Sequence, residues 1–136
     1  MPLITIILAV LLIITALLTV YYWVDFHITG GVQVIEEEWY IKFEKAFPVA
    51  DLWGLCACSL IGAVGLLTEQ PYGHFFSLLA AGSMIFLALM DITFNIQNKL
   101  YPLIALSNQM VLELLINLWT LVLGASILIY LWPILT

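Results

Sequence analysis

Long apolar runs alternate along the chain with short polar interruptions. Four runs, near residues 3–24, 49–67, 75–95 and 108–132, hold very little charge. A hydrocarbon core about 30 Å thick needs roughly 20 apolar residues to be crossed as a helix, so each run predicts one transmembrane helix. The runs are continuous and do not alternate with period two, which argues against a barrel. The expected fold is an all-α membrane protein, a single domain of residues 1–136 built as a four-helix transmembrane bundle.

The interruptions give the breaks. Gly30-Gly31 ends the first helix, Pro48 opens the second and Pro133 closes the fourth. Between the first two spans, Val32, Ile35, Trp39, Phe43 and Phe47 fall on one helical face, with Gln33, Glu36, Glu37, Lys42, Glu44 and Lys45 elsewhere. This predicts an interfacial amphipathic helix that caps the bundle. Tyr21-Tyr22-Trp23 reads as an aromatic marker of the membrane interface, and Trp119, Tyr130 and Trp132 as aromatics flanking the fourth span. The first run lacks a basic start and an Ala-x-Ala site, so it reads as a retained helix and not as a leader.

Within each run small and polar residues recur at helical spacing. The first carries Thr5, Ala9, Leu12, Ala16 and Thr19, and the second Gly54, Cys58 and Gly62. The third carries Ser77, Ala81, Met84, Ala88, Asp91 and Asn95, and the fourth Gln109, Glu113, Asn117, Thr120, Gly124 and Leu131. Helices in lipid associate by close packing of small residues and by a few polar contacts, so these stripes predict the seams.

Threading four spans gathers Asp25, His27, Asp51, Asp91, Asn95, Asn98, Gln109, Glu113 and Asn117 into one half of the bundle. Ionisable groups at membrane depth cost several kcal/mol unless they pair or reach water, and they seldom face lipid. A one-sided acidic cavity is expected, with Asp51, Asp91, Asn95, Glu113, Asn117, His27 and Trp53 as its ligand-binding residues. Asp91 and Glu113, on helices made neighbours by a short turn, are the candidates for any acid and base chemistry and for a shared proton. Asp51 also suits the helix N-terminus behind Pro48.

Composition narrows the partners. Nine acids stand against three lysines, with no arginine, for a formal charge of −6. That argues against nucleic acid and against attraction to anionic lipid. Membrane lipids, a lipid-like small molecule, a second copy or another membrane subunit are the expected partners. No metal-ligand spacing is present, and His27 and His74 lie toward opposite faces, so neither a metal nor a cofactor is expected. Cys56 and Cys58 are two apart on one helix and point to different faces, which disfavours a disulfide. Lys42, Lys45 and Lys99 share one side, so the positive-inside rule places 25–48 and 96–107 in the cytoplasm and both termini outside.

In span count and acid placement the chain is similar to the four-span sterol-isomerase and sigma-2-like membrane proteins. That likeness implies an acid-lined cavity within the membrane and carries no residue assignment. Three functions follow from the pattern: binding of a lipid-like ligand or partner subunit through the cavity, an isomerase-like lipid-modifying enzyme using Asp91 and Glu113, and an oligomeric proton or cation pathway. The third asks for polar stepping points along the other half of the seams, where only Thr5, Ser77 and Ser126 are offered.

Overall fold

The protein is described here by a computed structural model covering residues 1–31 and 36–136. These residues form helices and turns without strands, and four of the helices are long and apolar enough to cross a membrane. The first, α1, is Leu3–Thr29. It ends where Gly30 and Gly31 take φ of 85° and 58°, a left-handed conformation that glycine adopts without steric cost. A short helix, α2, covers Glu38–Glu44.

Residues 48–67 form α3, which changes pitch along its length. Pro48–Asp51 is α-helical, Leu52–Ala57 widens into a π-turn, and Cys58–Leu67 returns to α. Then come α4, Pro71–Gln97, and α5, Asn108–Leu135. A 3-10 turn, Tyr101–Ala105, lies between them. Two turns share one closure: Glu69 and Lys99 each take φ of 55°, while Gln70 N–H reaches Gly65 O at 2.8 Å and Leu100 N–H reaches Asn95 O at 2.9 Å.

The helices pack in chain order, α1 on α3, α3 on α4 and α4 on α5. Their buried faces are largely the small-residue stripes. Thr5, Ala9, Leu12, Ala16 and Thr19 are buried on α1, and Gly54, Cys58 and Gly62 on α3. Ser77, Ala81, Met84, Ala88 and Asn95 are buried on α4, and Glu113, Asn117, Thr120, Gly124 and Leu131 on α5. Gln109 is exposed, and its neighbour Met110 is the buried residue of that turn. By contrast α1 and α5 do not pack closely along their backbones. They meet through side chains, where Thr5 Oγ1 and Tyr130 Oη lie 2.6 Å apart and Trp119 Nε1 donates to Thr15 Oγ1 at 3.0 Å.

The helix α1 runs past the apolar stretch through Asp25 and His27 to Thr29, and Gly30-Gly31 ends it as the sequence predicts. Two local expectations are corrected. Pro133 does not stop α5, which runs on to Leu135. So near the end a missing N–H removes one bond, and Thr136 N–H still reaches Trp132 O at 3.0 Å. The face of α2 is also different. Val32 and Ile35 lie outside the described residues; from Glu38 onward Tyr40 and Glu44 are buried while Trp39 is exposed. What turns it is aromatic packing against α4: Phe43 stacks on Phe94 with centroids 4.0 Å apart, and Tyr40 and Trp39 meet the same ring.

Close approach of α3 and α4 depends on glycine. A Cβ on Gly65 would run into the Gly73 backbone, whereas one on Gly82 meets nothing within 4 Å. Gly65→Ala is therefore expected to destabilise the protein by about 1–3 kcal/mol through overpacking. Gly82→Ala should instead stabilise it by up to about 1 kcal/mol through helix propensity. Thermal unfolding of both variants in detergent checks the contrast, and equal midpoints would contradict it.

Candidate functional site

Where α1 and α5 stay apart, a cavity of about 400 Å³ opens. One wall is α1, with Thr15, Thr19, Tyr22, Trp23 and Asp25. The other is α5, with Leu112, Glu113, Ile116, Trp119 and Thr120. Asp51 and Leu55 of α3 and Asp91 of α4 form the back, while Glu44 and Phe47 close the end beside α2. Leu18, Tyr21 and Leu115 also line it and are exposed on the outside of the bundle, so the cavity opens sideways between α1 and α5.

Each acid arrives for a local reason. The stripe of α4 carries Asp91, one turn before Asn95. On α5, Glu113 occupies a seam position and is only 6% exposed, with Asn95 Nδ2 donating to its Oε1 at 3.5 Å. Glu44, also 6% exposed, comes in with Tyr40 on the inward side of α2. Asp51 precedes the π-turn, whose surplus residue rotates what comes before it by about 100° relative to the helix that follows. Gly54 consequently faces Ser83 of α4, while Asp51 faces α1 and accepts from Trp23 Nε1 at 2.9 Å. Its other oxygen, Oδ1, is buried without a hydrogen-bond partner.

Of the sequence-stated site residues, Asp51, Asp91 and Glu113 line one cavity. Asn95 stands behind it as the donor to Glu113. Asn117 is fully buried and donates to Tyr101 Oη at 3.0 Å, so it ties α5 to the 3-10 turn and does not line the cavity. His27 is exposed, with Nδ1 2.7 Å from Trp23 O in the last turn of α1. Trp53 is 57% exposed on the outer side of the π-turn. Both histidine and tryptophan are therefore outside the cavity. Asn98 and Gln109 are exposed as well.

Four lining groups were not anticipated in that role. Glu44 falls off the apolar face when the periodicity is taken through 32–47 as one helix; the spacing Tyr40, Glu44, Phe47 carries the face that packs. Tyr22 and Trp23 read as interface aromatics, yet Trp23 is buried and bonded to Asp51. Trp119 lies eleven residues into α5, counting from Asn108, and there bridges to α1.

The electrostatics are one-sided. No lysine or histidine lines the cavity, and the salt bridges among the described residues, Met1 to Glu69 and Lys42 to Glu38, lie elsewhere. Nor do the acids converge: among the described residues no group of three or more His, Cys, Asp or Glu could hold a metal ion. They surround a volume. Carboxyl groups in such a place are tolerated as neutral acids or in the company of a positive guest larger than a bare ion. Comparison with protein-family models, with curated proteins and with solved structures gives no match to this chain.

A structural role for Asn117 makes a separate prediction. Tyr101→Phe leaves the buried Nδ2 without its acceptor and is expected to cost about 1–3 kcal/mol. Adding Asn117→Leu should recover most of that loss, because both polar partners are then gone. Unfolding midpoints of the single and double variants test it; a double variant weaker than Tyr101→Phe would refute the reading.

Proposed function

We propose that this is an integral membrane protein that binds a lipid-like amphiphile with a positively charged head group, admitted sideways between α1 and α5. The observation that carries the reading is the cavity itself: apolar walls, a mouth on the apolar flank of the bundle, and Glu44, Asp51, Asp91 and Glu113 within, with no basic side chain among them. An amphiphile already in the bilayer reaches such a mouth without crossing water, and its apolar part replaces lipid contacts. Its head exchanges solvent for charge-assisted hydrogen bonds, each worth about 1.5–3 kcal/mol. A phosphate-bearing head would meet acids alone.

In this reading α2 lies at the membrane interface above the acidic end, and 25–48 and 96–107 face the cytoplasm with both termini outside. A second reading keeps the same guest but adds chemistry, since Asp91 and Glu113 line one cavity from adjacent helices and suit a proton donor and acceptor. A through-going proton or cation path has less support, because Leu8, Leu12, Leu123 and Ile127 fill the bundle beyond Trp119.

Binding is tested with a long-chain primary alkylamine and the alkyl carboxylate of equal length, each titrated against the protein in phosphatidylcholine nanodiscs. The amine is expected to raise the unfolding temperature and the carboxylate to leave it unchanged. Glu113→Gln and Asp51→Asn should each weaken amine binding roughly tenfold, the equivalent of about 1.4 kcal/mol. Equal responses to amine and carboxylate, or amine binding that ignores both substitutions, would overturn the proposal. Sidedness has its own check. In a Cys56→Ala, Cys58→Ala background, a cysteine replacing Lys99 should resist a membrane-impermeant thiol reagent applied to intact cells and react after lysis.

A further inference from the structure

The length of the guest is also written into the cavity. Resting on the reading of it as an amphiphile site, we infer that Trp119, held by Thr15, is the floor that limits how long an apolar chain the protein accepts.

The lining residues of α1 run from Asp25 at the acidic end to Thr15, ten positions that span about 15 Å at 1.5 Å per residue. That is half of a hydrocarbon core of about 30 Å, so the cavity is as deep as one leaflet. On α5, Trp119 and Thr120 are the lining residues farthest from the acids, and Trp119 lies about 9 Å beyond Glu113 along the helix. There the indole Nε1 donates to Thr15 Oγ1 at 3.0 Å, and that hydroxyl in turn donates to Leu11 O at 2.8 Å. The ring is thus fixed between the two helices, with 39% of its surface exposed on the flank of the bundle.

Directly behind it the seam is filled. One turn deeper Leu12 of α1 and Leu123 of α5, and two turns deeper Leu8 and Ile127, are buried in one core cluster. The floor is therefore a single large side chain on a closed base. A volume of about 400 Å³ is at the small end of the roughly 300–1,000 Å³ usual for ligand sites. It suits an amine carrying one chain, and the chain must stop or turn out through the mouth when it meets the indole.

The test uses a series of primary alkylamines of increasing chain length, titrated in phosphatidylcholine nanodiscs and corrected for partition into protein-free discs. For the parent protein, affinity relative to the bilayer should change little with length while the chain fits, because lipid and cavity walls are alike apolar, and should fall beyond a stopping point where the chain outgrows the cavity. Trp119→Ala should move that stopping point to longer chains and leave the affinity for the shortest amines unchanged. Trp119→Phe keeps a ring without the N–H and should stop close to the parent. Ile116→Trp, one turn nearer the acids, should stop at shorter chains.

A Trp119→Ala protein that binds the short amines normally and stops at the parental length overturns the inference while leaving the amine site intact. Should that variant fail to fold, Ile116→Trp decides alone, and an unshifted stopping point there has the same force. If no amine binds the parent protein in preference to the carboxylate, the amphiphile reading and this one fall together.

Discussion

Carboxyl groups inside a bundle of apolar helices set the terms for the rest of this structure. Each loses its water on entering and recovers little from the protein: Glu113 has one amide at 3.5 Å, and Asp51 has one indole N–H and a bare oxygen. Burial without full pairing costs several kcal/mol per charged group, more than a surface ion pair returns. The fold tolerates this by leaving a space at the acids and packing everything else tightly. On the far side of Trp119 the helices approach through glycine, alanine and serine, and the core there is fully apolar but for hydroxyls.

The two halves therefore differ in kind. At the end near the termini, α3 and α4 touch backbone to backbone at Gly65 and Gly73, and α1 meets α5 through a hydroxyl pair. At the acidic end α1 and α5 stay apart, and Trp23, Phe47 and Tyr22 are among the larger groups that line the space between them. Small-residue packing contributes dispersion between close helices; it offers no room. The aromatics hold room open, and the hydrogen bonds of Trp23 and Trp119 fix which side chains look into it.

Much of this was readable from residue spacing. Stripes at intervals of three and four place a residue on the buried face whatever the neighbouring helix turns out to be; they hold nearly all of the seam and two of the cavity's acids, Asp91 and Glu113, while Asp51 follows from threading. What spacing cannot carry is rotation introduced from outside the segment. The face of α2 depends on Phe43 stacking on Phe94, fifty-one positions away by their numbers, 94 less 43. Nor does composition announce a π-turn, since Leu52–Ala57 contains no residue that demands one. Trp53 stands on the outer side of that turn, and Trp119 reads as an anchor because an aromatic in a span is taken as one until its N–H is seen to have a partner across the bundle.

The surplus residue of the π-turn also divides α3 into two parts. Beyond Ala57 the helix packs on α1 and meets α4 through Gly62 against Ser77 and Gly65 against Gly73. Before it, the chain answers to α1 and to the acids, through Trp23 and Asp51. A change in the number of residues between Asp51 and Cys58 would swing the carboxyl around the helix axis by about 100° per residue while the glycine seam kept its register. The aim of this acid is thus a matter of residue count, a quantity that insertions and deletions alter and substitutions do not.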